Sequence, residues 1–316
     1  MKCLCCGKEI TDSFESSNSY WHKSCIKRFF GTEEIPTIDI SEEAIAGILE
    51  KQLTSKEAIT GIQKKLSLHL FNAPTPRLTI VDHPTGYILK PQVDTYQFLP
   101  ELEYVSMMLA KACGVNCVPF GLIKTSNGSY AYITKRIDRT IDSNTYKKIP
   151  MEDFCQLDFR LTEDKYNGSY ERCGSIIKKY SNNKLLDISE LFLRVVFSFT
   201  IGNNDMHLKN LSLISYENGI YSLSPAYDLL SVKLVLPSDL DDLALTLHGK
   251  KRKQTKNDFL EFASTIGLSD SAAKKIINSL IRKKEIMLEI INSSILSDEL
   301  KKAYSSLISH NIARLS

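Results

Sequence analysis

The stretch from Gly202 to Asp228, GNNDMHLKNLSLISYENGIYSLSPAYD, constrains this chain more than any other. LSLIS and IYSLS alternate apolar and polar residues and YENG between them supplies turn residues, so the segment predicts a β-hairpin. A hairpin brings its two ends together. Asn210, just before the first strand, is therefore expected beside Asp228, just beyond the second. Two neighbouring oxygen donors suit one magnesium ion, with phosphates and water completing the octahedron. Asp205 precedes Asn210 by five positions, the spacing at which a phosphoryl-transfer loop places a base aspartate and a metal-binding asparagine. Taken singly, Asp205 as a turn cap and Asp228 as a loop carboxylate stay open, because NND and YD both suit turns. Their joint occurrence around one hairpin favours the chemical reading.

The rest of the chain divides into three regions. Residues 1–31 form a Cys/His-containing element ending at Gly31, residues 32–137 are strand-rich, and residues 138–316 are mainly helical. In the middle region KKLSLHL alternates, RLTIVD and GYILKP flank the turn HPTG, and SYAYITKRI follows SNG, which predicts a small antiparallel sheet. One helix interrupts it: in LPELEYVSMMLAKACG, Leu102, Val105, Leu109 and Ala112 recur at helical spacing between Pro100 and Gly114. DISELFLRVVFSFTIG predicts a helix opening on an Asp187 cap, with Glu190 three residues on. The expectation is an α+β, two-lobed, kinase-like fold. Lys90, ending the strand GYILK, is the candidate phosphate cation, with Glu103 on the following helix as its partner and Glu101 as a rival.

These pieces together resemble the HipA-like serine/threonine kinases, the toxin kinases of bacterial toxin–antitoxin operons. TGIQKKLSL is similar to the family's glycine-glutamine loop, YILKP to its ATP-lysine strand, LPELEY to the following helix, KRIDR to its hinge, MEDFCQ to the start of its helical lobe, GNNDMHLKN to its catalytic loop and PAYDL to its metal segment. The resemblance implies ATP contacts from Thr60, Gly61, Ile62, Gln63, Lys64 and Lys65, phosphate binding by Lys90, and adenine contacts along Lys135, Arg136 and Ile137. It further implies a base at Asp205 and nucleotide or magnesium contacts from His207, Leu208, Lys209, Asn210, Tyr227 and Asp228. His207 as a brace of its loop and Lys209 as a surface charge stay open. Family members often autophosphorylate at a serine in the triplet before the loop glycine; here the triplet is Ala58, Ile59 and Thr60, which makes Thr60 the candidate. The length resembles the short HipT-type kinases. That implies a helix-turn-helix antitoxin, a small HipS-like partner in place of a missing N-terminal subdomain, DNA contact only through the antitoxin, and an aminoacyl-tRNA synthetase as protein substrate. A catalytically weak binding protein on the same fold and a small-molecule kinase are the alternatives.

Two clusters lie outside this pattern. Cys3 and Cys6 form C-x2-C and His22 with Cys25 forms H-x2-C, a spacing compatible with one tetrahedral zinc, with Cys5 as a competing thiolate. Trp21, Phe29 and Phe30 could instead dock the element with its thiols reduced. GKKRKQTK, residues 249–256, is the strongest basic run, read as a solvated loop with nucleic-acid contact as the alternative. Overall charge does not favour the latter, since 40 basic residues meet 37 acidic ones. The richest apolar run is broken by Arg194 and the N-terminus has no apolar signal region, so a cytoplasmic protein without membrane spans is expected.

Overall fold

The computed structural model describes residues 1–10, 20–38, 65–72, 75–125, 128–142 and 145–316. The expected loop positions Thr60, Gly61, Ile62, Gln63 and Lys64, and the triplet before Gly61, lie outside them; Lys65 is described and leads into a strand. Two compact units emerge, Met1–Tyr104 with Val118–Lys148, and Val105–Cys117 with Ile149–Ser316.

The first unit is built on a six-stranded sheet. Its strands are β1 (Thr37–Ile38), β2 (Leu66–Phe71), β3 (Arg77–Val81), β4 (Tyr87–Pro91), β5 (Phe120–Lys124) and β6 (Tyr130–Lys135), in the order β1-β3-β2-β4-β6-β5. β5 and β6 pair antiparallel, with Leu122 opposite Tyr132, which adds a strand that the sequence pattern did not single out. β3 and β4 do not pair with each other, although the turn HPTG joins them: β2 lies between them, meeting β3 from Ser67↔Val81 to Phe71↔Arg77 and β4 at Leu66↔Leu89. β2 buries Leu66, Leu68 and Leu70 on one face, and pairing with β3 and β4 satisfies its backbone on both edges. Helix α1 (Lys23–Phe30), the start of helix α2 (Leu99–Cys113) and a separate two-stranded ribbon of β7 (Arg139–Asp142) and β8 (Thr145–Lys148) belong to the same unit.

The second unit is mainly helical around α5 (Lys184–Ile201), which follows the short α3 (Phe154–Leu157) and α4 (Tyr170–Tyr180). Leu191, Phe192, Val195, Val196 and Phe199 of α5 are buried, and Phe192 stacks on Phe262 while Phe199 meets Phe259 edge-on. The expected Asp187 cap is corrected. α5 begins at Lys184 after Asn183, and Asp187 lies inside its first turn. Its carboxylate accepts from Ser181 Oγ at 2.5 Å and from the Leu223 N–H at 2.7 Å, a long-range tie in place of a local cap. The segment DDLALTLHG, just before the basic run, reads as strand-like in sequence, and the structure corrects this. The segment buries Leu243, Leu245 and Leu247 but carries only isolated bridges, Ser169↔Thr246 and Leu247↔Lys250. Apolar character there reflects burial, not a ladder. Among the described residues, no helix is long and apolar enough to cross a membrane.

Ion pairs give the fold an acid limit. Burial alone would raise Asp138, Asp158, Asp242 and Asp258, but hydrogen-bonded Arg136, Arg160 with Arg172, Arg314, and Lys250 with Thr255 hold them below the ordinary carboxylate range. A depressed folded value stabilises above the unfolded value of about 4 and is lost as pH falls through the folded values. Asp187 and Glu101, raised by burial, act in the opposite sense. With four depressed groups against two raised ones, the urea midpoint is expected to be flat above about pH 5 and to fall steeply below about pH 4. Asp242→Asn should flatten that acid limb.

Candidate active site

α5 stops at Gly202, whose φ of 70° is left-handed and whose N–H reaches back to the Phe199 carbonyl. The chain then enters the loop 203–210. Asn203 Oδ1 accepts from the Asp205 N–H at 3.1 Å, the His207 N–H bonds the Asp205 carbonyl at 2.8 Å, and Asn210 Nδ2 donates to the same carbonyl at 3.1 Å. These three bonds hold the loop backbone, and the Asp205 side chain is half-buried. Its carboxylate accepts from the hydroxyl of Tyr166. Burial, then the Asp205 carboxylate, push the Tyr166 phenol up, so it remains a protonated donor at neutral pH. Sequence reasoning missed Tyr166, because nothing in EDKYNGS signals a contact with a loop so far along the chain.

The hairpin forms as expected from β10 (Ser212–Glu217) and β11 (Ile220–Leu223), with Leu213 opposite Leu223 and a bulge between Ile214 and Glu217. β9 (Met151–Asp153) adds to its other side. Tyr227 cross-links the two ends: its hydroxyl lies 2.5 Å from Ser212 Oγ and donates to the Lys209 carbonyl at 3.1 Å. Asp228 follows at φ 61°, a left-handed conformation that aspartate tolerates better than most residues. After burial, the Asp228 carboxylate adds to the upward push on both the Tyr166 and Tyr227 phenols. The Asn210–Asp205 and Tyr227–Lys209 bonds thus bring the two ends of the hairpin together at the 203–210 loop.

A buried network aims this segment. Arg194, 2% exposed, donates to the Ser224 carbonyl at 2.7 Å and pairs with Glu190 at 2.9 Å, while Glu190 also accepts from the Asn116 N–H. With the Asp187 tie to Leu223, α5 holds the exit of β11 at two consecutive residues. The residues 207–209 serve the loop itself. His207 is buried and meets the Tyr166 ring edge-on at 4.9 Å, Leu208 is buried, and Lys209 pairs with Asp153 at 2.9 Å. Lys209 is thus neither a bare surface charge nor an uncommitted cation.

In the first unit, Lys90 on β4 and Glu103 on α2 form an ion pair of 2.5 Å, 4% and 1% exposed. The choice between Glu101 and Glu103 is settled by helical facing. Lys90 Nζ also lies 5.4 Å above the Tyr132 ring, a further favourable contact for a desolvated cation. In the hinge segment the Lys135 N–H bonds the Pro119 carbonyl and the Arg136 N–H that of Gly86. The Arg136 guanidinium grips Asp138 through two hydrogen bonds, at 2.9 and 2.7 Å, and Ile137 lies between them half-buried.

Cys3, Cys6, His22 and Cys25 also come together, their ligand atoms all within 4.8 Å of one another. Cys5 is not in that set. Two of the five cations of the basic run pair with acidic neighbours, Lys250 with Asp258 at 2.8 Å and Arg252 with Asp241 at 2.6 Å.

The sequence profile of the HipA-like C-terminal domain matches residues 58–286. A Haemophilus influenzae protein named "Putative kinase" is 29% identical over 267 residues, 75% of this chain and 75% of its own length. "Putative kinase Y4dM" of Sinorhizobium fredii is 30% identical over 228 residues, 67% of this chain, and the chain spans 54% of that protein's length. Among solved structures, Shewanella oneidensis HipA, determined with HipB and operator DNA, aligns with a TM-score of 0.66 at 20% identity, covering 87% of this chain and 70% of that one. The Helicobacter pylori proinflammatory kinase CtkA aligns at 0.51 with 14% identity, covering 79% and 93%. At these identities the two structures speak for the fold, which is α+β, two-lobed and kinase-like. The profile spans well over half of the chain and takes in the Lys90–Glu103 pair, the 203–210 loop and Asp228, and by that measure this protein belongs to the HipA-like kinase family.

Proposed function

We propose that the protein is an ATP- and magnesium-dependent kinase that phosphorylates a serine or threonine hydroxyl of another protein. The observation that carries this reading is the convergence of the hairpin ends, where Asn210 bonds the Asp205 carbonyl and Tyr227, next to Asp228, bonds the Lys209 carbonyl. Asn210 and Asp228 offer hard oxygen donors, which fit magnesium and not a thiophilic metal. Magnesium would neutralise charge on the transferred phosphates. Asp205 would orient the acceptor hydroxyl and take its proton as the acceptor oxygen bonds to the γ-phosphorus and the bond to the ADP oxygen breaks. Lys90, held straight by Glu103, would supply the phosphate cation, and residues 135–137 the adenine contacts. In this reading residues 1–31 are an appended element, 32–137 the nucleotide lobe and 138–316 the helical lobe.

The test is incubation with labelled ATP and a cytosolic lysate, with and without magnesium, followed by identification of the labelled protein and residue. Magnesium-dependent label on a serine or threonine is expected; label on small molecules alone would sink the protein-kinase reading. Tyr166 adds a specific expectation. Its phenol and an acceptor hydroxyl both donate to the Asp205 carboxylate, so Tyr166→Phe should lower KM for the acceptor protein by roughly 2- to 10-fold, the worth of one net hydrogen bond. Steady-state kinetics at fixed ATP checks it.

The family resemblance extends the reading to a toxin of a toxin–antitoxin system acting in the cytoplasm on an aminoacyl-tRNA synthetase or another translation protein. It also suggests a small HipS-like partner. The Shewanella HipA neighbour, bound to HipB and operator DNA, supports a DNA-binding antitoxin partner. The pairing of Lys250 and Arg252 with acidic neighbours supports DNA contact through that partner and not through the basic run. Autophosphorylation at Thr60 stands as part of the proposal, and phosphopeptide mapping after incubation with ATP decides it.

A further inference from the structure

We propose that Cys3, Cys6, His22 and Cys25 bind one zinc ion, and that this ion fastens the N-terminal element to the two structural elements carrying the Lys90–Glu103 pair. The site lies outside residues 58–286, the part of the chain matched by the kinase family profile. Nothing in the phosphoryl-transfer reading uses it.

Three observations bear on the donors. Four ligand atoms from two separate stretches of chain fall within 4.8 Å of one another, close to the edges of about 3.5–3.8 Å that a tetrahedron of zinc–sulfur and zinc–nitrogen bonds requires. His22 Nδ1 faces the sulfurs, 3.4 Å from Cys6 Sγ and 3.9 Å from Cys25 Sγ. The other ring nitrogen, Nε2, lies 3.1 Å from the Glu9 carbonyl; its proton donates there, which leaves Nδ1 with a lone pair for the metal, the usual outer support of a metal-bound histidine. The sulfurs have donors of their own. The His22 N–H points to Cys3 Sγ at 3.4 Å and Arg28 Nη2 to Cys25 Sγ at 3.6 Å, and both offset the excess negative charge of three thiolates on one dication. Gly7, at φ 73°, turns the chain directly after Cys6 and its N–H returns to the Cys3 carbonyl at 2.8 Å, so both cysteines of the C-x2-C present to one side. A sulfur-rich tetrahedral set selects zinc over magnesium or calcium.

The consequence for the nucleotide lobe follows from where the element is attached. Leu122 on the edge strand β5 donates its N–H to the Leu4 carbonyl at 2.9 Å and accepts from Trp21 Nε1 at 2.8 Å, so the element covers an otherwise open sheet edge. Trp21 lies so close to β5 that a Cβ at Gly121 would meet its ring at 2.4 Å. Phe29 and Phe30 pack on the Tyr87 ring, and the Tyr87 hydroxyl bonds the Phe29 carbonyl at 3.2 Å. Tyr104 donates to the carbonyl of Cys3, itself a ligand, at 3.4 Å. Tyr87 is on β4 with Lys90, and Tyr104 follows Glu103 on α2. An element of this size has little core of its own, so metal binding and its folding are one event. Removing the ion would loosen the braces on both sides of the Lys90–Glu103 pair.

The first half of the proposal is independent of kinase activity; the second rests on the nucleotide-lobe reading. Full-length protein purified without chelator or a histidine tag should carry about one zinc per chain by elemental mass spectrometry. Cys6→Ser and His22→Ala should lose most of it, and Cys117→Ser should keep it. Because those variants could misfold, wild-type protein reconstituted with cobalt(II) is the second measurement, and it should show intense thiolate charge-transfer and tetrahedral ligand-field bands. Folded wild-type protein with no zinc and no such bands, or with iron in its place, overturns the site. For the second half, stripping zinc with a chelator should weaken binding of a non-hydrolysable ATP analogue by about tenfold, reversibly on adding zinc back. Zinc present but ATP-analogue affinity unchanged on its removal overturns the brace while leaving the metal site standing.

Discussion

Asp205→Asn should abolish phosphoryl transfer, lowering the initial rate by about 10²- to 10⁴-fold, while nucleotide affinity and the urea midpoint stay near wild type. The loop explains why the loss should be this selective. Its backbone is held by Asn203 Oδ1 on the Asp205 N–H and by the Asn210 amide and the His207 N–H on the Asp205 carbonyl. None of these involves the carboxylate, so an isosteric amide leaves the loop in place and removes only the proton acceptor. Rates of labelled-phosphate incorporation, beside titration with a non-hydrolysable ATP analogue, separate the two effects. Unchanged transfer by this variant would remove Asp205 from the mechanism; collapse of the fold would assign it a structural role instead.

The second large effect concerns the buried pair. Glu103→Ala strands the Lys90 ammonium at 4% exposure, and breaking a buried ion pair from one side costs about 3–5 kcal/mol. Lys90→Met strands the carboxylate in the same way. The double variant Lys90→Met with Glu103→Leu should recover most of that stability, because two packed apolar side chains often replace a buried pair at little or no cost. All three variants should lose phosphoryl transfer. The expected pattern in urea unfolding is two unstable single variants and one stable, inactive double variant, with a large coupling energy between the sites. A double variant as unstable as the singles would show that the pair serves the fold, and an active one would show that it does not serve the nucleotide.

Much of the site could be read from local pattern, because its key residues are ordered by one hairpin. Alternation in LSLIS and IYSLS requires the ends to converge, and this holds whatever the rest of the chain does. The helix carrying Glu103 and the strand carrying Lys90 are equally local, one set by a 3.6-residue period and the other by a period of two. The four zinc-ligand candidates could be picked out by spacing, with docking through Trp21, Phe29 and Phe30 as the open alternative, and only the structure brings the four together.

What local pattern could not supply is which distant groups meet. The turn HPTG pointed to adjacent strands, yet β2 came between β3 and β4, where its backbone is paired on both edges. Asp187 had the sequence of a helix cap and became a clamp on Leu223, and Arg194, a mere interruption in an apolar run, became the buried donor to Ser224. Tyr166 met Asp205 across a loop with no motif to announce it. A side-chain period records which face of an element is buried; it does not record what lies opposite. The chain order alone picked out the candidate constellation, and the tertiary packing decided the contacts that aim it, because those are made between residues whose separation along the chain carries no periodic signal.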